Sequence, residues 1–162
     1  MKRILSVMLL LVALSGCSMQ TESKPVLKEY TYSEEVADGV VYDEKWTIEG
    51  MDDDVLYKTT TIYTYTFDDL DVWSETIEEL KVSYDEEIEK LKKPLGSKYI
   101  TIEYEMDGNT LIATEITDYK SASDNGMNVE GKLDGGLMTS KEYYSIEMMC
   151  EELENSGYTL IE

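Results

Sequence analysis

The stretch "VLYKTTTIYTYTFDDLDVWSETIEELKVSYDEEIEKLKKPLG", residues 55–96, changes its hydrophobic period halfway. From Val55 to Phe67 it is dense in Thr, Tyr and Val, residues that suit a pleated, half-buried surface. Val55, Tyr57, Tyr63, Tyr65 and Phe67 share one face at period two. From Trp73 onward, Ile77, Leu80, Tyr84, Ile88 and Leu91 recur at helical spacing. Asp68, Asp69, Asp71 and Glu75 crowd the start of that stripe, and Lys90, Lys92 and Lys93 its end, which complements the helix dipole. Glu86 with Lys90, and Glu89 with Lys93, have the spacing and order of stabilising pairs. Pro94 and Gly96 end the helix. A strand running straight into a long amphipathic helix places the chain in the α+β class.

Working toward the N-terminus, the even positions Val40, Tyr42, Glu44, Trp46 and Ile48 form a mostly apolar face with one interruption, Glu44. "EGMDDD" (49–54) reads as the turn that joins this strand to the next. Residues 28–40 are ambiguous: Tyr30 and Tyr32 alternate with polar residues, and Asp38-Gly39 looks like a hairpin turn, so an early edge strand is one reading. Residues 18–28 carry Pro25 and lack periodicity, and read as a tether.

Toward the C-terminus, Ile100, Ile102, Tyr104 and Met106 alternate with polar residues. "DGN" (107–109) turns the chain, and Leu111, Ala113, Ile112 and Ile116 carry a strand to about Tyr119. Residues 120–139 read as a long loop with a short strand near Val129. A second helix follows, with Thr139 and Glu142 at capping-box spacing. Its apolar face is Tyr143, Ile146, Met149, Cys150 and Leu153. Gly157 and Tyr158 are placed for a Schellman closure onto Leu153. "YTLIE" adds a last short strand. The expected architecture is an antiparallel sheet of two hairpins with two amphipathic helices packed on one face, in the order β-β-α-β-β-α-(β).

The leader decides where the chain goes. Met1-Lys2-Arg3 is basic, and Ile4–Leu14 is apolar except for Ser6. Eleven residues make a helix of about 16 Å, short of the roughly 20 residues that a bilayer span needs. A basic start, a short apolar core and small residues form a secretory signal. Its end, Leu14-Ser15-Gly16-Cys17, resembles a bacterial lipobox, in which the cysteine takes a diacylglyceryl group and the chain is cut before it. The division is therefore 1–16 signal peptide, 17–28 lipidated Cys17 and tether, and 29–162 one domain. The expected location is the outer face of the cell membrane, or another envelope membrane in a two-membrane cell. Cys150 is then left without an intrachain disulfide partner.

The chain has 162 residues with 14 Lys and Arg against 35 Asp and Glu. Loss of Lys2 and Arg3 with the leader takes its formal charge from −21 to −23. Nucleic acid is excluded as a partner by repulsion. Anionic lipid repels the domain as a whole, so the lipid chains must hold it at the membrane, where two chains anchor firmly and one only marginally. Histidine is absent, which removes the commonest general base and the commonest zinc ligand.

No residue is assigned a catalytic role, and no cofactor or metal is expected. Cys150 sits on an apolar stripe with no histidine to activate it, and reads as a small buried hydrophobe. Asp52, Asp53 and Asp54, or Asp124, Asn125 and Asn128, supply hard oxygens for calcium but lack EF-hand spacing. Trp46, Trp73 and the tyrosines read as core. The leading expectation is a non-enzymatic module that meets an unknown envelope protein or ligand through one sheet face or the loop 120–139. The alternative is a carboxylate-dependent envelope hydrolase, which requires a pocket with two acids of perturbed pKa.

In its order of parts the chain resembles the YehR-like family of small bacterial lipoproteins. The resemblance rests on the lipobox at Cys17, the strand "YKTTTIYTYTF" (57–67), the Glu/Lys helix 74–93, the hairpin 98–119 and the closing "ENSGYTLIE" (154–162). It covers about residues 46–162. The acidic stretch 29–45 is extra, and the loop 94–97 aligns differently. The family's domain has no established function, so the resemblance implies an α+β fold and an anchored lipoprotein, and no chemistry.

Overall fold

A computed structural model describes residues 23–125 and 144–161. Among the described residues nine elements run β1 (Pro25–Ala37), β2 (Val40–Met51), β3 (Val55–Phe67), α1 (Leu70–Leu95), β4 (Ile100–Asp107), β5 (Thr110–Asp118), α2 (Tyr119–Asp124), α3 (Ile146–Asn155) and β6 (Thr159–Leu160). The fold is α+β, built on one six-stranded sheet of order β4-β5-β3-β2-β1-β6 in which every pairing is antiparallel.

The first three strands form a meander, so the sheet holds more than two hairpins. Residues 28–37 of the ambiguous stretch form the body of a 13-residue strand paired to β2 on one side and β6 on the other. It also takes in residues 25–28, which the tether reading assigned elsewhere. Pro25 opens the strand, a position where its missing N–H need cost no ladder bond. The preceding Lys24 exchanges hydrogen bonds with Asp52, accepting at its carbonyl (2.9 Å) and donating its N–H to the carboxylate (2.8 Å). Asp38-Gly39 makes the β1–β2 turn, with Gly39 at φ 81°.

The β2–β3 turn is shorter than "EGMDDD" suggests: only Asp52–Asp54 leave the ladder. The strand register shifts between Glu49 and Gly50, where Glu49 pairs with Lys58 and Gly50 with Leu56, leaving Tyr57 as the extra residue of a bulge. As a result Leu56, 1% exposed, reaches the core while Tyr57 stays half-buried. The period-two reading had put Tyr57 inward.

One sheet face is covered by the helices, in two apolar clusters. Val40, Phe67 and Leu111 meet Ile77 of α1, with Trp73 and Leu80 packed alongside. Tyr30, Ile48 and Leu56 meet Leu95 and the α3 residues Ile146, Met149, Cys150 and Leu153. The helix α1 begins at Asp69, whose carboxylate accepts from the Asp71 N–H, and closes through the Gly96 N–H to the Lys92 carbonyl. Glu89 pairs with Lys92 one turn away (2.7 Å), rather than with Lys93.

Two features of the C-terminal half were not foreseen. Asp118 caps a short helix, α2, by accepting from the Ser121 N–H (2.8 Å), where a loop was expected. The start of α3 lies at Ser145, not Thr139. Its hydroxyl accepts from the Met148 N–H (3.1 Å) and donates to Asp54 (2.7 Å). Thr139, Glu142, Tyr143, Asn128 and the strand expected near Val129 lie outside the described residues. The Schellman closure is present: Gly157 has φ 93°, and the Tyr158 N–H donates to the Leu153 carbonyl (3.0 Å).

Asp54 connects this helix to the sheet. It has φ 67°, a left-handed conformation that aspartate tolerates better than most residues. Its second oxygen accepts from the Glu147 N–H (2.8 Å), adding to the favourable effect of an anion at a helix N-terminus. Replacing Asp54 with Ala removes both bonds and places Ala at a left-handed position. The expected cost is about 1–3 kcal/mol in denaturant unfolding. Asp54→Asn, which keeps an acceptor and tolerates the backbone, is expected to lose less than half of that.

Candidate functional site

The interruption in the β2 stripe is the starting point. Glu44 faces the covered side of the sheet and is only 6% exposed. A buried carboxylate is costly unless charge-assisted hydrogen bonds replace its water. Three donors do so here. The Trp46 indole N–H gives to Oε1 (2.6 Å), and the Tyr158 hydroxyl (2.6 Å) and the Tyr42 hydroxyl give to Oε2. Trp46 and Tyr42 flank Glu44 on its own strand, while Tyr158 arrives from the Schellman turn after α3. The sheet is thereby tied to the end of the closing helix.

Tyrosines extend from this carboxylate across the face. Tyr158 packs on Tyr32 with ring centroids 5.3 Å apart, Tyr32 on Tyr42 at 6.3 Å, and Tyr42 on Tyr65 at 4.8 Å. Tyr84 from α1 completes the row, 4.7 Å from Tyr63 and within a 3.1 Å hydroxyl contact of Tyr65. The belt lies between the two apolar clusters. Burial, with Glu44 beside it, pushes the Tyr42 and Tyr158 phenols well above the ordinary range. They are therefore protonated donors at any physiological pH. Sequence periodicity placed these tyrosines in the core; it could not show that they bracket an acid.

A second acid, Glu115, sits on the same face and accepts from Tyr63 (3.2 Å) and Thr117 (3.1 Å). Desolvation raises its pKa above the usual carboxylate value, against the lowering effect of those two bonds, and the charges of Glu87 and Glu44 add to the rise. Glu115 lines neither of the two grooves described next.

The other face of the sheet carries the larger groove, about 580 Å³. The strand register arranges its lining in two rows: Thr159, Thr31, Lys45 and Ile62, then Ser33, Asp43 and Thr64. Hydroxyls dominate these rows, with Lys45 and Asp43 among them, and Tyr32, Glu44 and Gly157 complete the lining. Lys45 is held by Glu29 (2.8 Å), which fixes where its charge sits. The arrangement offers donors and acceptors along an extended, polar surface. A second groove of about 430 Å³ lies between β1 and α3, where Val26, Met51, Ile146 and the nearly buried Cys150 meet several acids.

Several of the described calcium candidates are engaged elsewhere. Asp52 and Asp54 bond to Lys24 and to the start of α3, and Asp124 pairs with Lys120. Among the described residues no group of three or more His, Cys, Asp or Glu is placed to hold a metal.

The pattern of the prokaryotic membrane lipoprotein lipid attachment site matches residues 1–18, a span that includes Leu14, Ser15, Gly16 and Cys17. No curated protein and no solved structure matches the chain. The protein is an exported bacterial lipoprotein, anchored to its membrane by lipid.

Because the folded state holds a proton on Glu115 more tightly than the unfolded chain does, its ionisation subtracts stability as pH rises above the ordinary glutamate range. Glu115→Gln is therefore expected to gain on the parent protein between pH 4 and pH 7 in denaturant unfolding. A difference that shrinks over that interval would contradict the buried-carboxyl account.

Proposed function

We propose that the protein is a non-enzymatic envelope binding module, held at the membrane by lipid on Cys17 and related to the YehR-like lipoproteins. The groove on the sheet face opposite the helices carries this reading. It is wide, hydroxyl-rich and supported by a sheet whose other face is pinned at both ends by apolar clusters. Rigid support of polar groups suits recognition, because little freedom is lost on binding. An extended polar ligand fits such a surface, as a glycan chain or a peptide of the envelope does. The order of the strand, the Glu/Lys helix and the closing helix supports kinship with the YehR-like family.

Two experiments test the two parts. Cys17→Ala is expected to release the protein from the membrane fraction and abolish fatty-acid labelling; persistent labelling would overturn the assignment. For binding, the lipid-free domain is screened against envelope polysaccharides and peptides alongside a Lys45→Glu, Thr64→Arg variant. A ligand whose affinity falls at least tenfold in the variant supports the groove. Capture of nothing, or of a ligand indifferent to the variant, counts against it.

A further inference from the structure

The anchor and the lysines lie at the same end of the domain. Between Cys17 and the first strand residue, Pro25, stand seven residues, which span at most about 25 Å. Pro25 pairs with Met51, so this end of the sheet also holds the Asp52–Asp54 turn and the start of α3. The far ends of α1 and β5 come to the same pole, since Tyr99 bonds both Gly96 and Asp118.

Lys24, Lys28, Lys58 and Lys120 belong to this pole, from the sheet and α2. Lys92, Lys93 and Lys98 join them from the end of α1. Acids stand among them, so this pole is of mixed charge: Lys58 pairs with Glu49, Lys92 with Glu89 and Lys120 with Asp124, and Asp52, Asp53, Asp54, Asp118, Glu147 and Glu151 lie at the same end.

The opposite pole differs. Three junctions meet there: the Gly39 carbonyl accepts from the Asp68 N–H, and the Asn109 carbonyl from the Phe67 N–H. They bring together Asp38, Asp68, Asp69, Asp71 and Asp107. Among the described lysines, Lys45 and Lys81 lie near mid-height and none lies closer to this pole. Twelve rises along β1 separate the poles by roughly 40 Å.

We propose that the protein stands upright on its anchor, with the lysine-bearing pole facing an anionic phospholipid surface and the acidic pole held some 40 Å farther out. The proposal rests on Cys17 as the lipidated residue. The tether is short enough to let the near pole come within a Debye length of the headgroups, where charge is felt. Lying flat would bring the acidic pole, which carries no lysine among the described residues, down onto like charge. The upright posture keeps the hydroxyl groove at mid-height and open to the side.

The test uses the full lipidated protein in vesicles of phosphatidylglycerol and phosphatidylcholine with a headgroup-labelled energy acceptor. A donor dye is placed on Ser97→Cys at the near pole or on Asp38→Cys at the far pole; Cys150 is buried and Cys17 acylated, so each takes one dye. Several-fold stronger transfer from position 97 than from 38, narrowing on phosphatidylcholine alone, is the expected result. Equal transfer from both positions overturns the posture, and a difference unchanged on phosphatidylcholine overturns its electrostatic cause. Failure of the protein to float with vesicles overturns the anchor reading and the posture with it.

Discussion

The short segment from Gly50 to Leu56 sets the relation between sheet and helices. A Cβ on Gly50 would lie 2.4 Å from the Ile146 side chain and 2.3 Å from the Val55 carbonyl, so only glycine lets α3 settle here. The bulge beside it turns Leu56 into the core. Asp54, in the intervening turn, receives the first bonds of the helix. A backbone approach, a register shift and a cap thus converge within seven residues. The helix that closes the fold has its position decided there, 90 residues before it begins in sequence.

Glu44 is the counterpart at the other end of α3. Its three donors come from its own strand and from the turn beyond the helix, so the carboxylate joins the two, beside the Tyr30 hydroxyl that donates to Glu154 of α3 (2.9 Å). Satisfying a buried acid requires several donors at once, which makes the arrangement specific: a helix displaced by one turn would take away the Tyr158 donor in a low-dielectric site. The tyrosine belt supplies two of those donors and fills the space between the apolar clusters. The protein uses 13 tyrosines and a single phenylalanine, and the belt gives a physical reason for the bias, since phenylalanine fills volume but donates nothing.

Charge is organised on a larger scale. A chain with 35 acids and 14 bases has a strongly negative field whatever its fold. The topology turns that composition into a polarity by bringing the C-terminal lysines of the long helix back beside the first strand. The lipid-attachment leader joins the chain at that same end, so the anchor and the charge asymmetry act along one axis.

Much of this was legible in the sequence. The switch of period after Phe67, the Asp-rich start and Gly96 end of the long helix, the hairpin at 100–118 and the Gly157 closure are local signals, carried by residues within one or two turns of each other. The leader is likewise local, and its match to a lipid attachment site spans 18 residues. What could not be read depends on partners distant in the chain. The bulge that exchanges Tyr57 for Leu56 is set by pairing with β2. Asp54 reinforces the Ser145 cap on α3 from a distant turn, and Glu44 reads as a break in a stripe until Tyr158 is brought to it. The strand identity of residues 25–37, too polar to declare itself, is settled by β2 and β6 on either side. Hydrophobic period and capping chemistry act over a few residues and are written in order along the chain. Register, buried charge and surface polarity depend on which elements meet, and only the folded structure brings them together.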